Sequence, residues 1–206
     1  MLVKSISRTW KRKDIQPNWL FKKYIKSVKM KDLESIYAKY ANTNTNNIYL
    51  ITINISKQIL TLYKNNKQIK NYKVSSSKFG EGQLEGSNKT PLGAHYIKDY
   101  IGENEEIFTV FENRVSTGKL TEVISDITSG NKDIISTRIL WLSGLEEGIN
   151  KGGNVDSYSR YIYIHGTNEE GMLGKKASHG CIRMSNNDII DLCNRKISNS
   201  IVYISN

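Results

Sequence analysis

From Ile48 onward, apolar and polar positions alternate with a period of about two residues, the spacing that sends successive side chains to opposite faces of a strand. Ile48 and Leu50, with Tyr49 and Ile51 opposite, followed by Ile53 and Ile55, read as a first strand. Gln58 to Tyr63 and Gln68 to Ser75 repeat the pattern on either side of a turn at Lys64-Asn-Asn-Lys67, so an antiparallel meander is expected. Thr137 to Leu142, Arg160 to Ile164 and Ser200 to Ile204 add strands. The period changes at Asn186 to Arg195, where Ser185 as cap and Asp188 in the first turn predict the main helix. Phe79 to Lys89 carries Gly80, Gly82 and Gly86 and reads as a mobile flap. It lacks the strand-to-helix setting and the Gly-Lys-Ser/Thr ending of a phosphate loop, which rejects a nucleotide site.

Before Asn47 the pattern is helical. Leu20, Phe21, Tyr24, Ile25 and Val28 fall at helical spacing after Pro17, and Leu33, Ile36, Tyr37 and Tyr40 repeat it. Two short amphipathic helices are expected, then a linker at Ala41 to Asn47. The chain therefore divides into a basic helical extension with its linker at 1–46 and a β-rich domain at 47–206. Eleven Lys/Arg against three acidic residues before Asn47 leave +8 of the total +10, so the remainder is nearly neutral. That distribution argues against a nucleic-acid partner. Packing of the helices on the domain, lysines in water, is favoured over contact with a membrane surface. At 206 residues and 38% hydrophobic, the chain can bury one sizeable core. No apolar stretch of about 7–15 residues follows the charged start, and no run is long enough to span a bilayer. The sequence thus favours a cytoplasmic location and leaves the periplasm and cell envelope open.

The chemistry concentrates in Tyr161 to Met184, which holds two of the three histidines and one of the two cysteines. A free thiol titrates near 8.5, roughly, so a cysteine nucleophile needs a base beside it. Cys181 lies in a turn between a strand and a helix, where its own N–H and that of Gly180 are the expected oxyanion donors. Alternation places Tyr161, Tyr163 and His165 on one face and Ile162 and Ile164 on the core face. His165 is the expected general base, because its ring approaches from a separate strand; the carbonyl of Gly166 is the expected orienting group. His179, two residues from Cys181, is expected to shape the turn. Arg183, Arg160 and Tyr163 are candidate contacts for substrate carboxylates, and Trp141 a candidate cleft wall. The spacing His-x13-His-x-Cys lacks the short pairs of structural zinc sites and names no fourth ligand, so neither metal nor cofactor is expected. Cys193 reads as core, His95 as a structural partner or cleft wall, and both cysteines as free.

The run from His165-Gly166 to Ser178-His-Gly-Cys181 closely resembles the catalytic signature of the L,D-transpeptidase domain family. Thr90-Pro-Leu-Gly93 is similar to the strand-leading motif of that family. Thr137 to Gly144 and Gly152 to Asp156 resemble a proteobacterial branch that includes signal-less L,D-carboxypeptidase-like members. The resemblance runs from about Asn47 to the C-terminus. It departs at Arg183, where the best-known members have Asn. It implies a mainly β domain, sandwich-like or barrel-like, with a few helices, to which the N-terminal segment adds a short helical extension. It also implies a substrate: peptidoglycan stem tetrapeptides or muropeptides, attacked by Cys181 at the third residue with release of D-alanine. Three readings follow: transfer of the acyl group to an amine, strictly hydrolytic L,D-carboxypeptidase action in peptidoglycan recycling, or a non-catalytic wall-binding protein. The presence of Cys181, His165 and His179 together argues against the last.

Overall fold

The alternating run after position 48 becomes a three-stranded meander of β1 (Tyr49–Asn54), β2 (Ile59–Lys64) and β3 (Lys67–Lys73), paired antiparallel. Asn65 and Asn66 make the turn from β2 to β3 at φ of 49° and 60°, a left-handed conformation that asparagine tolerates better than most residues. Further strands are β4 (Gly93–Ile101), β5 (Thr109–Glu112), β6 (Val115–Leu120), β7 (Ile135–Gly144), β8 (Tyr163–Thr167), β9 (Ile182–Met184) and β10 (Ile201–Ser205). The structure is a computed structural model that describes residues 30–40, 49–127 and 133–206.

The strands form one sheet in the order β3-β2-β1-β10-β4-β7-β5-β6, with β8 branching from β7 and carrying β9. After β3 the chain meets β9, where Ser75 and Arg183 exchange backbone hydrogen bonds of 3.0 and 2.9 Å. The ladder thereby curls back on itself, so the domain is mainly β and barrel-like. Ile51, Ile53, Leu60, Leu62, Leu142 and Ile164 are among the residues of its main core. The helix α2 (Asn186–Cys193) adds Ile189 and Leu192 to the same core. Its start follows the expected chemistry, since the Ser185 hydroxyl accepts the Asp188 N–H at 3.1 Å.

Two expectations change. The strand placed at Arg160 to Ile164 begins only at Tyr163, because Tyr161 takes φ 57° and leaves the strand conformation. The second face is not solvent-facing either: Tyr163 and His165 are buried as fully as Ile162 and Ile164. Of the two amphipathic segments, α1 (Met30–Tyr40) is described. Its Ile36 and Tyr40 pack against Leu50 and Ile201, and the Tyr40 hydroxyl donates to Glu146 at 2.8 Å. The helix expected over Leu20 to Val28 and the linker at Ala41 to Asn47 lie outside the described residues. Among the described residues no helix is long and apolar enough to cross a membrane.

Candidate active site

Register brings the reactive groups together. In the parallel β8/β9 pair, His165 lies opposite Arg183 and Ile164 opposite Ile182. Cys181 directly precedes β9, so continuing the alternation of that strand puts it on the face of Arg183 and His165, diagonally across neighbouring strands. The Cys181 Sγ is held between backbone groups of the preceding segment: it accepts the Tyr163 N–H at 3.4 Å and faces the Tyr161 carbonyl at 3.3 Å. Burial pushes the thiol up to about 12, against the Tyr163 N–H, which favours the thiolate. The resting group is a protonated thiol, so attack requires a base.

His165 is suited to that task. Its Nδ1 lies 2.7 Å from the Gly166 carbonyl. A carbonyl can only accept, so Nδ1 carries the proton and Nε2 presents its lone pair. Nε2 makes no hydrogen bond among the described residues. Burial holds the ring below the ordinary histidine range; the Asp133 charge and the Gly166 bond oppose this, and the Arg183 charge reinforces it. The net result is a neutral imidazole at neutral pH. Gly166 has no alternative at its position: a Cβ there would lie 2.7 Å from the Ser136 carbonyl and 2.8 Å from Asn186 Oδ1.

Asn186, the first residue of α2, locks this end of β8. Its Oδ1 accepts from Ser136 and Thr137, while its Nδ2 donates to the Thr167 carbonyl at 2.8 Å and to Glu170 at 2.7 Å. Thr137 is held at φ 67°, an uncommon conformation for a β-branched residue that costs about 1–3 kcal/mol. It lies where β7 shifts register against β8. The Thr137 hydroxyl donates to Asn186, whose amide in turn donates to the Thr167 carbonyl, so one side chain braces β7 and β8 next to Gly166.

The second histidine plays another part. His179 is 45% exposed, and its Nδ1 donates to Asp133 at 3.1 Å. Its ring leans on Phe79, with centroids 5.8 Å apart. The oxyanion expectation needs revision. The Gly180 N–H is directed at the Ser178 hydroxyl at 3.3 Å, whereas no acceptor for the Cys181 N–H is found among the described residues. Cys181 therefore supplies the open donor, and Gly180, at φ 130°, supplies the bend that aims it.

The expected carboxylate contacts are already committed inside the protein. Arg183 is 2% exposed, with Nη1 on Glu169 at 2.6 Å and Nη2 on Asp133 at 2.7 Å. Burial raises the Asp133 carboxyl, but its bond to Arg183 and the neighbouring His165 and His179 outweigh this and leave it below the usual range. Arg160 donates to the carbonyls of Gln83 and Lys89, each at 2.7 Å, and to Gly82 at 3.4 Å. The Gly-rich segment read as a mobile flap is thus tied down by a guanidinium, and Thr90 joins it to the nucleophile turn through a 2.9 Å bond to the Gly180 carbonyl. Tyr163 is buried, and its side chain meets Trp141 edge-on and Arg114 rather than a cleft. Trp141 stacks on Tyr158 at 4.1 Å and leans on Tyr161, so it belongs to an aromatic wall beside Cys181.

Asp133, Glu169 and Asn186 have structural parts in this site that their sequence neighbourhoods do not announce. Outside the site, His95 is buried between the Gly93 carbonyl and the Ser157 hydroxyl. Cys181 and Cys193 are free thiols. Among the described residues no three His, Cys, Asp or Glu side chains form a metal-binding group.

The family model of the L,D-transpeptidase catalytic domain (YkuD) matches residues 48–204, more than half of the chain. Among solved structures, L,D-transpeptidase 3 of Mycobacterium tuberculosis is 14% identical at a TM-score of 0.48, covering 77% of this chain and 60% of that one. An L,D-transpeptidase from Mycobacterium smegmatis is 16% identical at a TM-score of 0.45, covering 77% and 59%. The L,D-transpeptidase of Xylanimonas cellulosilytica is 16% identical at 0.42, covering 84% and 69%. The chain thus spans about three-fifths of the mycobacterial chains it matches. Comparison with curated proteins gives no match.

Proposed function

We propose, from the premise that this chain belongs to the L,D-transpeptidase catalytic domain family, that it is a cysteine acyl transferase acting on peptidoglycan stem tetrapeptides. The observation that carries the reading is the contact of the Cys181 sulfur with β8, the strand on which His165 has its imidazole fixed by Gly166 and its Nε2 open. In the first half-reaction His165 Nε2 takes the Cys181 proton as sulfur attacks the carbonyl of the third residue. The Cys181 N–H stabilises the oxyanion. His165 then returns the proton to the departing amine of D-alanine, leaving a thioester on Cys181. In the second half-reaction an amine or water, deprotonated by the same ring, attacks the thioester and restores the thiol. An amine acceptor gives a crosslinked or exchanged product, and water gives the tripeptide.

The test is incubation of the protein with disaccharide tetrapeptide, with and without a millimolar acceptor amine, scored by mass spectrometry. Conversion to dimer or exchanged product supports transfer. Tripeptide alone at all acceptor concentrations assigns the strictly hydrolytic reaction. Persistence of intact tetrapeptide under every condition contradicts an enzymatic role and favours a wall-binding protein.

A further inference from the structure

Two of the arginines around Cys181 are spent within the protein: Arg183 on Asp133 and Glu169, and Arg160 on the Gly-rich segment. A third, Arg114, touches Tyr161 and Tyr163. Among the described residues it forms no salt bridge. Its polar contact is a long one, 3.3 Å to the Tyr163 hydroxyl. The guanidinium carbon lies 5.1 Å from the Trp141 ring centroid and 4.8 Å from that of Tyr161. These aromatic faces hold a cation by its quadrupole attraction and leave most of its N–H donors free. Tyr161 and Tyr163 are also the residues whose backbone groups flank the Cys181 sulfur. Arg114 is therefore one side chain removed from the reacting atom.

The backbone strengthens the case. Asn113 and Arg114 form the two-residue turn between Glu112 and Val115, with φ of 48° and 69°. Glycine is the favoured second residue of such a turn, and the β2–β3 turn solves the same problem with two asparagines. An arginine there is a poorer choice for the hairpin. Its cost is accounted for if the side chain has work to do.

We propose that Arg114 is a specificity-determining residue that binds the free C-terminal carboxylate of the peptide's leaving residue. This rests on the acyl-transfer reading above. Consecutive Cα atoms are about 3.8 Å apart, so the free carboxylate of the leaving residue stays close to the scissile carbonyl, on the scale of the one tyrosine that separates Arg114 from the sulfur. The planar fork of arginine matches a carboxylate in two parallel hydrogen bonds. The site then selects stem peptides that end at the fourth residue and rejects those amidated or extended there.

The experiment measures binding in the absence of turnover. Cys181→Ala protein is titrated calorimetrically with a tetrapeptide bearing a free terminal carboxylate and with its C-terminal amide, then the titrations are repeated in the Arg114→Gln and Arg114→Gly backgrounds. The expected result is about 10- to 100-fold tighter binding of the free acid, the range of a charge-assisted pair, and loss of that preference in both double variants. Arg114→Gly suits the turn better than arginine, so an unchanged thermal transition in that variant separates lost recognition from a damaged hairpin. Equal affinity for acid and amide, no binding of either, or a preference that survives both substitutions overturns the proposal. Turnover of the tetrapeptide by the unmodified protein is read separately and reports on the acyl-transfer reading itself.

Discussion

The interior and the surface beside Cys181 handle charge in opposite ways. In the interior, Arg183, Asp133 and Glu169 neutralise one another, and the Gly166 carbonyl fixes His165. At the surface, Arg114 stands over aromatic faces with no acidic partner among the described residues. A buried charge must be paired, because leaving it alone in a low-dielectric interior costs several kcal/mol, roughly. A surface charge stays hydrated until a ligand replaces the water. The difference separates groups that hold geometry from groups able to read a substrate.

The largest expected effect comes from removing in turn the buried and the exposed histidine that act on Asp133. His165→Ala takes away the buried base and is expected to lower the rate of Cys181 acylation about 10²- to 10⁴-fold. His179→Ala, at the exposed end of the Asp133 bridge, is expected to cost about tenfold or less, through a less rigid turn. Single-turnover acylation rates distinguish them; a larger loss in His179→Ala would mean that the two roles are exchanged, and equal losses would contradict the assignment of His165 as the single base.

Stability gives the next contrast. Glu169 is 3% exposed at its side chain, and Glu169→Gln leaves the buried guanidinium with Asp133 alone. Breaking such a pair costs about 3–5 kcal/mol, and retention of Asp133 places the expected loss near the low end, about 3 kcal/mol. At the surface, Glu81→Gln removes the exposed Lys176 pair and is expected to change stability by less than about 1 kcal/mol. Urea denaturation measures both. Similar values would show that the Arg183 cluster is better solvated than its geometry indicates.

A smaller, graded effect comes from protons. Burial depresses His95 from 6.5 to about 4, so the folded state keeps it neutral while the unfolded chain protonates it below about 6.5. Its contribution is complete above that pH and is lost as pH falls toward about 4, at most on the order of 3 kcal/mol. The downward shift of His165 acts in the same direction. His95→Gln is therefore expected to flatten the decline in unfolding free energy between pH 6.5 and 4, roughly, without abolishing it. An unchanged slope would remove His95 from the account.

Much of this was legible in local pattern. The meander, the capped helix α2 and the grouping of His165, His179 and Cys181 follow from alternation, capping chemistry and short spacing. The failures are non-local. Asp133 lies 50 positions before Arg183, and nothing around it indicates that both meet beneath β9. Arg160 and Arg183 have the right chemistry for carboxylates, yet tertiary contacts occupy their terminal guanidinium nitrogens. Tyr161 fits the alternation and still leaves the strand, because the left-handed turn at that residue is invisible to a period-two reading. Arg114 drew no notice in the sequence because its setting depends on the β5–β6 hairpin meeting an aromatic wall built from β7 and the segment leading into β8.

The central claim is that Cys181 carries the acyl group. Intact-protein mass spectrometry after rapid quenching of a reaction with tetrapeptide tests it most directly. The account predicts a mass increase equal to the tripeptide acyl group, mapped to the peptide containing Cys181, retained in Cys193→Ala and absent in Cys181→Ala. Turnover that persists in Cys181→Ala, or an adduct that maps to Cys193, would contradict it.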